Sequence, residues 1–233
     1  MADTLSNTEN GGLIVAVDGP SGTGKSTMCR VLAKRLGAKY VDTGAMYRVA
    51  TLAVLRAGVD PADTAKVIET TADLPLEVSD DPDSTEVLFA GEDVKAEIRG
   101  AEVTKHVSAV SAIPEVRVNL VELQRKLARE SGRAIVEGRD IGTVVLPDAP
   151  AKVFMTASAE VRAKRRYDQD VAAGREADFD AVLADVQRRD DADSSRATSP
   201  LKPADDAVRV DTSEMTPDEV LAALTEVVER SAR

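Results

Sequence analysis

The sequence has very few cysteine, histidine or aromatic residues. Among 233 residues there is one cysteine, one histidine and no tryptophan, and aromatic residues make up 3% of the chain. A single cysteine excludes an intramolecular disulfide and a cysteine-based zinc site. A single histidine argues against a multi-histidine metal site or a Ser-His triad, and the scarcity of rings leaves no platform for stacking bases. The cysteine count predicts a cytoplasmic protein, in a reducing compartment.

Long apolar runs and an excess of positive charge are also missing. No run approaches the roughly 18 apolar residues that span a bilayer. The N-terminal MADTLSNTENGG lacks the basic and then apolar segments of a secretory signal. The formal net charge is −11, so the surface repels nucleic acid on average. We therefore expect neither a membrane protein nor a DNA or RNA binder.

Strand and helix patterns alternate along the chain, which predicts an α/β protein with a parallel sheet wrapped by helices. Residues 1–12 are polar and predict a disordered tail. Short alternating strands within 74–94, around the turn sequence SDDPDS, predict an inserted antiparallel hairpin. Buried strands are predicted at 13–18, 39–42, 134–138, 151–156 and 207–212. Helices are predicted at about 25–36, 45–57, 61–72, 114–131 and 159–167, and from about 101, 179 and 217 onward.

One motif carries the chemistry. Residues 19–26, GPSGTGKS, match the P-loop pattern G-x4-G-K-[ST] between a predicted strand and a predicted helix. Backbone N–H groups of such a loop face phosphate oxygens, and the helix N-terminus adds positive charge. We expect Lys25 to reach the β- and γ-phosphates, Ser26 to give its hydroxyl to Mg²⁺, and Thr27 to contact the α-phosphate. The predicted ATP-binding residues are Gly19, Ser21, Gly22, Thr23, Gly24, Lys25, Ser26 and Thr27.

Arginines recur near the predicted strand ends and helix starts beyond this loop. In a doubly wound sheet those ends converge on one crevice, so the arginines predict a second phosphate-bearing substrate opposite ATP. For any single arginine, an ordinary surface position is the alternative. The arginines are Arg48, Arg117, Arg139, Arg165, Arg166, Arg188, Arg189 and Arg196.

Several segments, in order from about residue 13 to 230, resemble the bacterial cytidylate kinase family of P-loop nucleoside monophosphate kinases. They are VDGPSGTGKST, VDTGAMYR, GEDVKAEIR, PEVR, EGRDIGTVVLPDA and RRDDADSSRATSPL. Many families share the P-loop, whereas EGRDIGTVVLPDA and the RDDxDxxR pattern are far more specific. The resemblance implies transfer of the γ-phosphoryl group of ATP to CMP or dCMP with Mg²⁺, giving ADP and CDP or dCDP, in pyrimidine nucleotide metabolism.

The resemblance also implies a fold and a domain organisation. The expected fold is a three-layer P-loop NTPase core with a central parallel five-stranded sheet. It carries a small antiparallel β insert in the monophosphate-binding region and a helical lid. The expected single domain covers 13–233, with the core at 13–42, 101–157 and 188–233, the monophosphate-binding region at about 43–100 and the lid at about 158–187. A monomer is expected, with small-molecule substrates only.

Roles for individual residues follow from the same resemblance. Those expected at the acceptor phosphate are Thr43, Arg48, Arg139 and Arg196. Those expected at cytosine are Ser108, Arg117 and Asp140, and those expected at the pentose hydroxyls are Arg189 and Asp193. Two lid arginines, Arg165 and Arg166, are expected to approach the transferring phosphoryl group on closure. The expected catalytic set is Lys25, Arg139, Arg165, Arg166 and Arg196.

The cytosine assignment agrees with the hydrogen-bonding chemistry. Cytosine presents an amino donor and the acceptors N3 and O2, while a carboxylate only accepts and a guanidinium only donates. Asp140 and Arg117 therefore complement cytosine, and UMP is expected to be a poor substrate because its carbonyl would face the carboxylate.

Three alternatives remain open at this stage. The chain could be a kinase of another small acceptor, such as UMP or shikimate, or a P-loop regulator that binds ATP and a partner protein. Asp18, directly before the loop, is equally consistent with a carboxylate near the metal and with a cap of the strand end.

Overall fold

The computed structural model describes residues 12–231, so all of the predicted tail except Gly12 lies outside the described residues. The strands are Leu13–Asp18 (β1), Lys39–Asp42 (β2), Leu76–Val78 (β3), Val87–Phe89 (β4), Glu92–Asp93 (β5), Arg133–Gly138 (β6), Ala151–Thr156 (β7) and Val208–Asp211 (β8). The helices are Lys25–Leu36 (α1), Thr43–Arg56 (α2), Thr64–Thr71 (α3), Ala101–Ser111 (α4), Pro114–Ser131 (α5), Ala159–Ala172 (α6), Phe179–Ser194 (α7) and Pro217–Ser231 (α8). A 3₁₀ turn at Glu97–Arg99 and a π-helical turn at Ile141–Val145 complete the assignment.

The central sheet has the strand order β2-β6-β1-β7-β8, and every neighbouring pair is parallel. The predicted five-stranded parallel sheet is thus confirmed. The strand before the P-loop, β1, lies in the middle between β6 and β7. Because the strands are parallel, their carboxyl ends meet at one edge, where α/β proteins bind their ligands.

Helices cover both faces of this sheet, as expected for three layers. On one face α1 and α8 bury Leu32 and Leu224 against Val15 and Met155 of the sheet. On the other face α2 and α5 supply a second core around Met46 and Leu120. Each sheet residue in these cores is almost fully buried, which explains why the strands read as continuous apolar runs.

The β insert is confirmed: the predicted antiparallel hairpin around SDDPDS is formed by β3 and β4, and the sheet has a third strand, β5, that was not predicted. The segment TEVLFAGEDV folds back on itself at Ala90 and Gly91, where φ is 52° and 81°. Positive φ at both central residues is typical of a tight hairpin turn, and alanine is an unusual residue there. The sequence around this turn therefore gave little sign of it.

A loop of the insert is attached to the core beside the P-loop helix. The Tyr40 amide of β2 donates to the Asp80 carbonyl at 2.8 Å. The Arg30 guanidinium of α1 donates to the carbonyls of Pro82 and Ser84 and lies 4.3 Å from the centroid of the Tyr40 ring. These contacts fix the insert to the side of the sheet that carries the P-loop.

Two helices begin at residues other than those predicted, because side-chain caps determine where each helix begins. The predicted helix at 61–72 begins only at Thr64, because the Asp63 carboxylate caps it by accepting from the Lys66 amide at 3.2 Å. Asp60, the predicted cap, accepts from the Ala62 amide at 2.9 Å in a preceding turn. Asp42 caps α2, which therefore begins at Thr43, two residues before the predicted start.

The first helix of the predicted lid is longer than predicted, and the second continues beyond the lid. Helix α6 extends to Ala172, beyond the predicted end at 167, and α7 continues to Ser194 across the predicted lid–core boundary at 187. The lid limits stay a prediction. Within residues 12–231 we find no helix with the length and apolar character needed to cross a membrane.

Candidate active site

A cleft of about 1460 Å³ lies at the carboxyl edge of the central sheet. Every residue predicted to bind ATP or CMP lines it, except Gly19 at the start of the P-loop. The structure therefore brings together positions from both halves of the chain, from Ser21 to Arg196. The roles of these residues remain predictions.

The P-loop has the conformation that its glycines permit. Gly19, Gly22 and Gly24 have φ values of 146°, 82° and 91°, a region that L side chains rarely adopt. A Cβ on Gly19 would lie 2.1 Å from the Met155 carbonyl oxygen, so the loop passes directly over β7. Helix α1 follows with no side-chain cap and no acidic residue in its first turn. Its free N–H groups therefore favour an anion.

Lys25 is buried at this loop. Its Nζ donates to the Gly19 carbonyl at 2.7 Å and to the Pro20 carbonyl at 2.6 Å. Burial, with the nearby charge of Arg139, lowers the pKa of Lys25 below its ordinary value. A phosphate bound at the loop would favour the charged ammonium again.

Ser26 faces a buried carboxylate that the sequence reasoning missed. Its Oγ donates to Glu137 Oε1 at 2.6 Å, while Glu137 Oε2 is buried near the Tyr40 hydroxyl. Burial and the neighbouring Asp42 raise the pKa of Glu137. The available signal was its place in EGRD, at the carboxyl end of a buried strand.

This pair suits Mg²⁺. Within residues 12–231 no group of three or more His, Cys, Asp and Glu side chains is arranged to hold a metal ion alone. Mg²⁺ typically takes one or two protein oxygens and completes its shell with water and substrate phosphates. A serine hydroxyl beside a buried carboxylate fits that requirement.

Asp18 is the carboxylate whose role the sequence left open. Its Oδ1 accepts from the Ile141 amide and its Oδ2 from the Gly142 amide, both at 2.8 Å. Burial raises the pKa of Asp18 to about 6, although these two hydrogen bonds act to lower it. Both oxygens are engaged by backbone N–H groups, which favours a cap over a metal carboxylate. The group that it caps is the π-helical turn rather than its own strand.

The proposed cytosine-reading residues form a buried ion pair. Arg117 Nη2 lies 2.5 Å from Asp140 Oδ2, and each side chain is 4% exposed. Arg117 also donates to the Ser111 carbonyl at 3.0 Å and lies 5.0 Å from the centroid of the Tyr47 ring. Ser108 lines the same part of the cleft from α4.

Four arginines converge beside this pair. Burial, together with charges of neighbouring arginines, lowers the pKa of Arg48 to about 10 and lowers those of Arg189 and Arg196. Arg189 Nε and Arg196 Nη2 are buried and have no hydrogen-bond partner among the described residues. Arg139 donates to Asp193 Oδ2 at 3.1 Å. Such a cluster suits a ligand with two negative charges.

Thr43 lies at the edge of this cluster, as the first residue of α2. Its Oγ1 donates to the Glu137 carbonyl at 2.7 Å, so the hydroxyl oxygen keeps its capacity to accept a further hydrogen bond.

The two lid arginines occupy different places. Arg165 donates to the Thr212 carbonyl at 2.7 Å and to the Thr23 carbonyl of the P-loop at 3.4 Å. Arg166 pairs with Asp170 on its own helix, with Nε 3.2 Å from Oδ2. Its charge still contributes to the lowered pKa of Arg48, and both lid arginines line the cleft.

Arg162 is a further residue that the sequence reasoning missed. Its guanidinium donates to the Ala157 carbonyl at 2.9 Å and to the Ser21 carbonyl at 3.2 Å. It also forms a two-pronged pair with Asp190 of α7, at 3.0 and 2.5 Å. The residue thus joins the P-loop to both lid helices. Nothing in its spacing within VRAKRR distinguished it from its exposed basic neighbours.

Comparisons with known proteins show the family to which the chain belongs. A model of the cytidylate kinase family matches residues 15–230. A cytidylate kinase of Corynebacterium glutamicum is 72% identical to this chain, over 95% of this chain and 96% of that protein. A cytidylate kinase of Corynebacterium efficiens is 70% identical, over 96% of this chain and 97% of that protein.

Solved structures extend the likeness in fold. A gluconokinase from Sinorhizobium meliloti matches with a TM-score of 0.50 at 16% identity, covering 95% of this chain and 93% of that chain. At this level of identity, the likeness supports a shared P-loop kinase fold and nothing more specific.

Proposed function

The chain belongs to the cytidylate kinase family, and we propose that the cleft at the carboxyl edge of its sheet is where that family's reaction takes place. The protein is a nucleoside monophosphate kinase that transfers the γ-phosphoryl group of ATP to CMP or dCMP. The observation that carries the proposal is that one cleft contains both the P-loop and the buried Arg117–Asp140 pair. The first provides for a triphosphate and the second for a cytosine.

On the donor side, the backbone N–H groups of the P-loop and of the first turn of α1 bind the ATP phosphates. Lys25 contacts the β- and γ-phosphates once they replace the loop carbonyls as its partners. The Ser26 hydroxyl, oriented by Glu137, would hold Mg²⁺. When bound there, the ion would neutralise charge on the β- and γ-phosphates.

On the acceptor side, Arg48, Arg139 and Arg196 bind the phosphate of CMP together with Thr43. The unpartnered Nη2 of Arg196 supports the assignment, because a buried donor is costly to leave without an acceptor.

The nucleoside of the acceptor contacts the remaining predicted residues. Asp140, Arg117 and Ser108 read cytosine, and Arg189 and Asp193 hold the pentose hydroxyls. The lower pKa of Arg189 that comes with burial is consistent with a position that needs a polar ligand to complete it.

The transfer needs no general base, because the attacking phosphate oxygen is already anionic. The residues act by aligning two anions and by neutralising the charge that spreads over the transferring group. Lid closure brings Arg165 and Arg166 toward this group, and excludes water.

Three further features belong to the proposal. Exposed large apolar side chains among the described residues are scattered, at Val31, Val118, Val171 and Val208, which supports a monomer. The net charge of −11 supports small-molecule substrates over nucleic acid. A cytoplasmic location is supported by the buried free thiol of Cys29.

The test is ADP production from ATP and Mg²⁺ with CMP, dCMP, UMP, AMP, GMP and shikimate as acceptors. We expect turnover confined to CMP and dCMP, and loss of that preference in Asp140→Ala. A preference that survives Asp140→Ala would discard the base-reading assignment. ADP release that is independent of every acceptor would instead favour a P-loop regulator.

A further inference from the structure

The turn after β6 begins with backbone donors that need partners. The chain leaves β6 at Gly138 and enters the π-helical turn Ile141–Val145 three residues later. The amides of Val144 and Val145 donate to the Asp140 carbonyl, at 2.8 and 3.1 Å. The amides of Ile141 and Gly142 precede these bonds, and the first N–H groups of a helical turn have no partner within it.

Asp140 occupies the position from which an aspartate usually caps such a turn. A capping aspartate accepts from an N–H group two or three residues later. Asp140 makes no side-chain cap hydrogen bond, and its Oδ2 instead lies 2.5 Å from Arg117 Nη2. Its carboxylate is therefore turned away from its own turn.

Asp18 supplies the cap from a different strand. Its two oxygens accept from the amides of Ile141 and Gly142 at 2.8 Å each, and the residue is 3% exposed. A Cβ on Gly142 would lie 3.4 Å from Asp18 Oδ2 and 3.2 Å from Lys152 Cδ. The carboxylate thus lies directly against the turn.

We propose that Asp18 is a positioning residue for base selection: by capping the turn at Ile141 and Gly142, it leaves the Asp140 carboxylate free to face the cytosine amino group. The inference rests on the proposed base-reading role of Asp140. Without the Asp18 carboxylate, the unpaired N–H group of Gly142, two residues after Asp140, would draw the Asp140 carboxylate back onto its own turn, away from Arg117 and the base.

The experiment is a double-mutant cycle of Asp18→Asn and Asp140→Ala, with kcat and KM measured for CMP, UMP and ATP. Asparagine keeps the shape of aspartate but replaces one acceptor oxygen with a donor. We expect Asp18→Asn to raise the KM for CMP about tenfold and to lower the preference for CMP over UMP. The KM for ATP should stay within about twofold, because the effect passes through Asp140.

The decisive comparison is the effect of Asp18→Asn in the Asp140→Ala background. There it should leave the KM for CMP unchanged, since the carboxylate that it positions is gone. Asp63→Asn serves as the control, because Asp63 caps α3 outside the cleft; it should leave all three KM values unchanged. If Asp18→Asn shows no cooperative thermal transition, Asp18→Ser keeps one acceptor and takes its place in the cycle.

The outcomes separate the two claims. Additive effects in the cycle, or equal rises in the KM for ATP and for CMP, would overturn the positioning role and leave the base-reading role of Asp140 intact. An Asp140→Ala enzyme that still prefers CMP over UMP would overturn the base-reading role itself, and the positioning role with it.

Discussion

The ion pair between Arg162 and Asp190 connects the P-loop to the lid helices, and its removal should affect both the lid helices and the P-loop. The change is Asp190→Asn. It takes away the charge that balances a guanidinium whose side chain is 5% exposed, while the carboxylate itself is 27% exposed. Arg162 keeps its hydrogen bonds to the carbonyls of Ala157 and Ser21.

The size of the effect follows from these contacts. Breaking a buried ion pair costs about 3–5 kcal/mol. Water can reach the exposed side of Asp190 and two acceptors remain, so we expect about 2–3 kcal/mol in the free energy of unfolding. For a chain of this length, that corresponds to a fall in melting temperature of about 4–12 °C.

Thermal denaturation followed by circular dichroism measures the change, with Asp168→Asn as the matched control. Asp168 pairs with Lys164 on α6, where the side chains are 55% and 61% exposed, so its loss should shift the melting temperature by about 1 °C or less. Because Arg162 also holds the Ser21 carbonyl of the P-loop, Asp190→Asn should raise the KM for ATP more than the KM for CMP. Equal melting temperatures for the two variants would refute this account of Arg162.

Three further predictions concern the P-loop and Asp18. Ser26→Ala should raise the Mg²⁺ concentration for half-maximal activity about tenfold, because it removes a candidate ligand. A Mg²⁺ titration measures this, with an unchanged KM for CMP as the control; an unchanged Mg²⁺ requirement would contradict the assignment. Gly19→Ala should lower the melting temperature more than Gly24→Ala, since its methyl group would lie 2.1 Å from a carbonyl of β7 whereas the other meets nothing within 4 Å; equal losses would contradict the loop geometry. The Asp18 carboxyl, whose pKa is raised from 3.8 to about 6, binds its proton more tightly in the folded protein. The protonated carboxyl therefore stabilises the folded protein fully below pH about 4. The free energy of unfolding falls by about 3 kcal/mol as the pH rises past 6. Urea unfolding at pH 4 to 7 should show a smaller fall in the free energy of unfolding for Asp18→Asn than for the unsubstituted protein. Parallel pH curves for the two proteins would argue against the raised pKa.

The parts of the site that the sequence predicted are those whose residues are contiguous or sit in a specific motif. The P-loop could be predicted because strand, glycines, lysine and helix follow one another within 13–36. Arg117 and Asp140 came from the resemblance to a family, and the structure finds them 2.5 Å apart. The strand ends could be expected to converge because parallel strands share one edge.

The parts that escaped prediction depend on contacts between distant residues. Asp18 caps amides that lie 123 and 124 positions later in the chain, and no local pattern signals such a bond. Arg162 resembles its exposed neighbours until α7 brings Asp190 beside it. The turn at Ala90 needs a positive φ that alanine rarely adopts, so propensity alone favours a continuous strand.

The arginine cluster at the proposed acceptor site means that electrostatic repulsion and burial of charge destabilise the unliganded fold. Burial and, to a lesser degree, the charges of neighbouring arginines lower the pKa values of Arg48, Arg189 and Arg196, and the rest of the fold must outweigh this cost. Selection for heat resistance alone would therefore replace these arginines early, because a neutral side chain relieves the electrostatic cost. The same replacement would end the proposed phosphate binding. The same tension makes any tetrahedral dianion a stabiliser of the fold, so the substrate itself acts as a folding aid for the enzyme that uses it.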